Sequence, residues 1–391
     1  MAKANRHTTS YGDHVTRCPS VSRRTFMQLA VTGGVAAASL GDTCALGPAE
    51  NRPAAKQNAD EMLPSSPNGS EAGAQRLSLS KLRAWEDLGY GMFIHFGMNT
   101  FDPGKGLVDT PDGKAPASTY SPDKLDVDQW IQIARDAGMK YAVLTTKHVA
   151  GHCLWPSRYA DLTIASSLSG DRTDVVEAFV KSCERRGVLP GLFYNSYDNH
   201  NLFGQVNVSS EGGYPWQEKG RATTYTTSLY QDFQTAQVTE LLTQYGPIGE
   251  VWIDIPHLLG RGYRTFLYEL IARLQPDSVI IMNGGSKVWA AWPTDAITLE
   301  RRLPPPSGHV KWREIEGKRY YLPGEFCNPI AKEWFYFEGD HPRSDQELLM
   351  ELLESRKRGV NFLLDVPPDK HGLIPDESRA ALMRLRKNAN L

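Results

Sequence analysis

From residue 80 onward the apolar positions fall into two alternating patterns, which together predict a repeating strand–helix unit. Residues 90–96 form a compact apolar run that reads as a strand buried on both faces. Asp126 then caps a helix whose inner face is Val127, Trp130, Ala134 and Ala137, with Gly138 as its stop. Residues 141–145 read as the next strand. Asp174 opens a second helix through Val176, Phe179, Val180 and Cys183, ended by Gly187, and residues 188–194 are strand again. A helix over 231–245 stops at Gly246-Pro247 before a strand at 250–253. Another over 263–274 precedes a strand at 279–282. Ser344 and Glu347 form a capping box ahead of Leu348, Leu349, Leu352 and Leu353, and 360–366 is the last clear strand.

Doubly buried strands alternating with amphipathic helices predict an α/β fold with a parallel sheet covered by helices. A closed barrel and an open doubly wound sheet both fit this rhythm. No G-x-G-x-x-G follows the first strand, which weakens a dinucleotide-binding sheet. Polar and aromatic residues instead stand at the C-terminal ends of several strands: His95, His148, Tyr194 and Asp254. A barrel builds its active site there. The expectation is a TIM-like (β/α)8 barrel over residues 79–391.

The N-terminus reads as an address. Residues 22–27, S-R-R-T-F-M, precede a mild Ala/Gly-rich apolar run over 29–40, too short to span a bilayer comfortably. Residues 1–45 are expected to be a twin-arginine-type export signal, giving a periplasmic or secreted protein. Residues 46–78, rich in Pro, Asn, Ser, Gly and Ala, read as a flexible linker. No membrane span or internal repeat follows. The net charge of −2 provides no field that would draw nucleic acid or an anionic membrane. Of five Cys, Cys18 and Cys44 fall in the signal. Cys153, Cys183 and Cys327 contain no CxxC pair, so one bridge is possible and buried free thiols are expected.

Nine Trp and sixteen Tyr suit either a core or the apolar faces of sugars. Asp254 closes the apolar strand E-V-W-I-D, where a carboxylate must be hydrogen-bonded or used; a loop-capping role fits equally. Glycoside hydrolysis needs a second carboxyl. Glu300, in T-L-E-R-R, and Glu325, in P-G-E-F, are the candidates, although Arg301 and Arg302 could simply pair with Glu300 and Glu325 could be a buried structural group. His148 and His152 stand four apart with no third ligand, so no metal is expected. His95 could be a satisfied core histidine. No G-x-S-x-G elbow is present.

Several stretches, in order, resemble the α-L-fucosidases of glycoside hydrolase family 29. They are W-E at 85–86, G-Y-G-M-F-I-H-F-G at 89–97, L-T-T-K-H at 144–148 and C-L-W-P-S at 153–157. They continue with G-L-F-Y at 191–194, E-V-W-I-D at 250–254, G-V-N-F-L-L at 359–364 and P-P-D-K-H-G-L-I-P at 367–375. The resemblance, from about residue 80 to 385, implies a barrel and retention of configuration through an aspartyl nucleophile at Asp254. It implies fucose hydroxyls held by His95, His148, Tyr194 and Trp252, with Trp155 shaping the pocket.

The separation of Glu300 from Asp254 is similar to the branch acting on branched α-1,3/4-linked fucose. Glu300 is therefore taken as acid/base, with Glu325 as alternate. Two departures stand out. The family often shows His-His-Asp-Gly-Phe where this chain has His148, Val149, Ala150, Gly151 and His152. No clear C-terminal β-sandwich, common in the family, is expected. The implied activity is release of terminal α-L-fucose from a fucosylated glycan, without cofactor or nucleic acid. The rivals are a glycosidase for another sugar, a non-catalytic carbohydrate-binding barrel, and a metal-dependent hydrolase using His148 and His152.

Overall fold

The computed structural model describes residues 73–102, 111–167, 172–201, 203, 226–285 and 291–391. Residues 1–45, expected to be an export signal, and the expected linker up to residue 72 lie outside the described residues.

Eight parallel strands form one sheet: β1 (Tyr90–Ile94), β2 (Tyr141–Lys147), β3 (Leu189–Asn195), β4 (Glu250–Asp254), β5 (Val279–Met282), β6 (Ile297–Glu300), β9 (Gly324–Pro329) and β10 (Val360–Asp365). Their order is β5-β4-β3-β2-β1-β10-β9-β6. β1 pairs with both β2 and β10, so the first and last strands join in the middle of the sheet. The two ends meet through Asp295 N, which donates to Ile280 O at 2.8 Å, and Thr298 Oγ1, which donates to Asn283 Oδ1 at 2.6 Å. The sheet is thus a nearly closed barrel, and the open alternative is removed.

Helices α3 (Val127–Asp136), α4 (Val175–Arg186), α5 (Ser228–Gln244) and α6 (Arg261–Leu274) begin and end close to the sequence-predicted bounds. Asp126 and Asp174 accept from Gln129 N and Glu177 N, and Gly187 takes the left-handed C-terminal position at φ 66°. The stretches 297–300 and 324–329, to which the apolar pattern assigns no strand, are barrel strands. Between them the chain makes an antiparallel hairpin, β7 (Trp312–Ile315) with β8 (Lys318–Tyr321), in place of a crossover helix. Glu316 and Gly317 turn it with φ 53° and 72°. The strand–helix rhythm breaks there, which is why those two strands were not foreseen.

The core has two shells. Outward-facing strand residues such as Met92, Leu144, Leu192, Ile253 and Phe362 pack under the helices. Inward-facing residues Phe93, Val143, Phe193, Trp252, Ile281 and Leu363 fill the barrel. At Gly91 a Cβ would lie 2.5 Å from the Tyr141 ring, so only glycine leaves room for that ring. Helix α1 (Leu79–Glu86) plugs the N-terminal end: Trp85 Nε1 donates to Glu250 Oε2 at 2.8 Å and Asn361 Nδ2 to Trp85 O at 3.0 Å. The folded body starts ahead of residue 79. Ala74 N donates to Arg319 O, and the Arg76 guanidinium binds Ser278 O and Asp295. The three cysteines of the barrel are buried free thiols.

Candidate active site

Two-residue periodicity carries the inward side of each strand up to the C-terminal mouth. Trp252 is followed inward by Asp254, Phe193 by Asn195, Ile281 by Asn283, Thr298 by Glu300, Leu363 by Asp365 and Phe93 by His95. β2 reaches the mouth differently. Its register with β3 slips between Thr145 and Lys147, and the Thr146 hydroxyl donates to Phe193 O at 2.7 Å. This bulge turns Lys147 outward and brings His148 inward.

Asp254 is held by two amides. Asn195 Nδ2 donates to Oδ2 at 3.0 Å and Asn283 Nδ2 to Oδ1 at 2.9 Å. The same Asn283 nitrogen lies 3.3 Å from Glu300 Oε2, so one donor spans both carboxyls. Each amide is itself oriented: Tyr197 N donates to Asn195 Oδ1 at 2.7 Å, and Thr298 Oγ1 to Asn283 Oδ1 at 2.6 Å. The residues just after the two acids, Ile255 and Arg301, are both left-handed, at φ 53° and 54°. For β-branched Ile255 that is a strained position, worth roughly 1–3 kcal/mol. It turns the chain sharply off β4 at the point where Asp254 faces inward.

Glu300 is open to solvent along one side but surrounded by protein on the others, like a group at the bottom of a cleft. That burial pushes its carboxyl above the usual range, with the Asn283 bond and the Arg301 charge acting against it. Across the mouth, His95 Nδ1 is 2.8 Å from Asp365 Oδ1, which fixes the ring. Burial holds the Asp365 carboxyl well above its ordinary value. The His148 ring lies 5.7 Å from that of His95 and stacks on Phe193 at 5.6 Å. Burial, then the neighbouring His95 and Lys147, push His148 well below the ordinary histidine range, so it is neutral. Two aromatics from the loop after β9 complete this side. Trp334 is 5.2 Å from His95, Phe335 is 5.0 Å from His148, and the Arg301 guanidinium covers Trp334 at 4.8 Å.

The structure therefore brings together Asp254, Glu300, His95 and His148, and separates the other candidates from them. Tyr194 faces outward, donating to Gln237 of α5 at 2.8 Å; the inward neighbour is Asn195. Trp155 is also in the outer shell, its indole donating to Glu240 of α5 at 3.1 Å. Trp252 lies one layer beneath Asp254, stacked on Phe193 and donating to Glu325 Oε1 at 2.9 Å. It is floor rather than wall. Glu325 sits near the opposite end of the barrel, fully buried, accepting from Tyr141 as well as Trp252. It opens β9, whereas Glu300 ends β6, in register with Cys327 further along β9. That depth corrects the alternate acid/base assignment.

Val149 joins a small apolar cluster with Tyr197, Ile255 and Leu258, so the departure from the expected histidine becomes packing beneath the turn after Asp254. His152 packs on Tyr120 at 4.6 Å, pushed down to about 3 by burial. Among the described residues no cluster of His, Cys, Asp and Glu is arranged to hold a metal, and no helix is long and apolar enough to cross a membrane. Sequence reasoning missed Asn195, Asn283, Trp334 and Phe335. Counting two residues on from Phe193 and Ile281 would have found the amides, and the run W-F-Y-F at 334–337 marked the aromatics.

A carboxyl pair across the C-terminal mouth of a parallel barrel is the arrangement of barrel glycoside hydrolases. The chain belongs to the α-L-fucosidase family, whose model matches residues 114–387. It is 30% identical over 338 residues to α-L-fucosidase 1 of Arabidopsis thaliana, covering 80% of this chain and 60% of that one. The chain thus spans somewhat over half the length of the curated relatives it matches. Among solved structures it resembles α-L-fucosidase isoenzyme 1 from Paenibacillus thiaminolyticus, with TM-score 0.65, 26% identity and coverage of 79% of this chain and 75% of that one. The fold is also similar to a Lactobacillus casei α-L-fucosidase solved with its α-L-fucose product, with TM-score 0.62, 20% identity and coverage of 80% and 98%.

Proposed function

We propose that this protein hydrolyses terminal α-L-fucosides with retention of configuration, Asp254 acting as nucleophile and Glu300 as acid/base. The observation that carries this reading is the single Asn283 nitrogen within reach of both acids, at 2.9 and 3.3 Å. Two bonds sharing one atom keep these two oxygens closer than the ~6.5 Å at which inverting pairs begin, which favours the ~5–5.5 Å spacing of retaining pairs.

Asp254, stabilised as an anion by two amide donors, attacks the anomeric carbon as the glycosidic bond breaks. Glu300, whose carboxyl burial pushes above the usual range, passes its proton to the leaving oxygen. In the second half Glu300 takes a proton from water, which attacks the same carbon and releases Asp254. A 6-deoxy sugar suits this mouth: His95 and His148 offer polar contacts to hydroxyls, while Trp334 and Phe335 provide an apolar wall for a methyl group. The twin-arginine stretch at 22–27 supports export to the periplasm or medium.

The test is Asp254→Ala assayed on an aryl α-L-fucoside. Hydrolysis should fall by roughly 10³-fold or more, about 4 kcal/mol of barrel-held transition-state stabilisation, with an unchanged circular dichroism spectrum. The first product of the parent protein, followed by NMR, should be the α-anomer. Near-normal turnover by the variant, or a β-anomer from the parent, refutes the assignment. A panel of other aryl glycosides separates fucose from a different sugar.

A further inference from the structure

We infer that Asn283 is a shared donor that follows the negative charge from Asp254 to Glu300 and back during turnover. This rests on the retaining reading above and assigns Asn283 a positioning role within it.

The charge balance of double displacement requires such a group. At rest Asp254 carries the single negative charge and Glu300 carries a proton. In the first half the bond from Asp254 to the anomeric carbon forms, the bond to the leaving oxygen breaks, and the proton leaves Glu300 for that oxygen. Asp254 is then a neutral ester and Glu300 an anion. Water reverses this: its proton goes to Glu300, its oxygen takes the anomeric carbon, and Asp254 recovers its charge. The pair holds one negative charge throughout, but the charge changes place twice.

Asn283 is built to serve both places. Its Nδ2 carries two N–H bonds, and the shorter contact, 2.9 Å, goes to Asp254, while the longer, 3.3 Å, goes to Glu300. That asymmetry is the one expected with the charge on Asp254, because hydrogen bonds to an ionised acceptor are shorter. A small movement of one amide group reverses it. A flip of the amide is blocked on the other side. Thr298 Oγ1 donates to Asn283 Oδ1 at 2.6 Å, and Gly285 N approaches it at 3.4 Å. Turning the oxygen toward two carboxyls would lose both donors and set three acceptors together. A donor already in place where charge develops costs no reorganisation at the moment of reaction. Asn195 provides the contrast. It donates to Asp254 Oδ2 at 3.0 Å, its Oδ1 is held by Tyr197 N, and the pair acts on the nucleophile alone.

The experiment is the pH profile of kcat/KM on an aryl α-L-fucoside for the full chain and for Asn283→Ala, Asn195→Ala, Thr298→Val and Asp254→Ala. The acidic limb reports the group that must be ionised and the basic limb the group that must be protonated. A donor to a carboxylate favours the charged form, so removing it raises the pKa. Asn283→Ala should lower kcat/KM by about 10²-fold and move both limbs upward by about one pH unit. Asn195→Ala should move the acidic limb only. Thr298→Val, which keeps the amide and frees it to turn, should move both limbs by less. Limbs that coincide with the parent's in Asn283→Ala, or a shift confined to one limb, overturn the inference. If Asn283→Ala does not fold, unmoved limbs in Thr298→Val overturn it. Full activity in Asp254→Ala defeats the retaining reading itself; an inactive Asp254→Ala beside an unmoved Asn283→Ala profile defeats only the shared donor.

Discussion

Removing the carboxylate of Asp198 should destabilise this barrel more than removing the lysine it pairs with. Lys147 Nζ lies 2.6 Å from Asp198 Oδ2, and both side chains are wholly buried. The ammonium otherwise has the Tyr230 hydroxyl at 3.3 Å and the faces of Tyr194, Tyr230 and Phe233 at 4.4–5.6 Å. In Asp198→Ala that cation stays buried, and three further donors lose their acceptor: His200 N, Asn201 N and Asn201 Nδ2. Leaving a buried charge unpaired costs about 3–5 kcal/mol, only part of which the aromatic faces offset. At ~2.1 cal/mol/K of unfolding entropy per residue, a body spanning residues 73–391 would lose about 4–8 °C of Tm. Lys147→Met is different. The carboxylate keeps its three N–H donors and methionine fills the aromatic cage, so the loss should be about half as large. The double variant should lose less than the two singles combined. Differential scanning calorimetry of the three variants decides this. An Asp198→Ala loss below about 1 °C, or equal losses for both single variants, would refute the reasoning. Lys147 lies at the bulge that brings His148 inward, so Asp198→Ala should also raise KM for an aryl α-L-fucoside.

The remaining predictions concern residues away from the acid pair. Burial pushes Glu325 up to about 7, and burial with the Glu325 charge pushes Glu250 up beside it, so the folded state holds protons that the unfolded chain releases. Stability from this pair is fully present below the ordinary carboxylate range. It is lost as pH rises through about 7, giving a Tm that falls between about pH 5 and 8. Glu325→Gln should flatten that dependence; a curve parallel to the parent's would dismiss it. Tyr194→Phe removes a hydroxyl bonded to Gln237 in the outer shell. It should cost about 1 kcal/mol of stability in denaturant titration while KM stays within about twofold, and a large KM change would return Tyr194 to the site.

Part of the candidate mouth was legible in the sequence. His95 and Asp254 follow apolar strands, and such positions point to the mouth if the sheet is a parallel barrel. The misassignments share one cause. Tyr194 and Asn195 are adjacent, and which of them looks inward depends on where the strand ends. The strand continues one residue past the sequence-predicted end, and Asn195 takes the inward position. Trp155 and Trp252 are equally buried aromatics, yet one lies under α5 and the other inside the barrel. Glu300 and Glu325 stand on neighbouring parallel strands, and only their depth along the barrel axis distinguishes a mouth residue from a buried structural acid.

The linear order of residues determined the capped helices, six of the eight strands and the presence of acids and imidazoles at strand ends, because caps and apolar runs are local signals. Tertiary structure alone decided ring closure, the inward side of each strand and the meeting of Asp254 with Glu300 through one amide. A strand buried on both faces is apolar on both faces, so its pattern cannot say which side is the interior. The closed sheet supplies that distinction, and with it the few ångströms between two carboxyls on which the proposed chemistry depends.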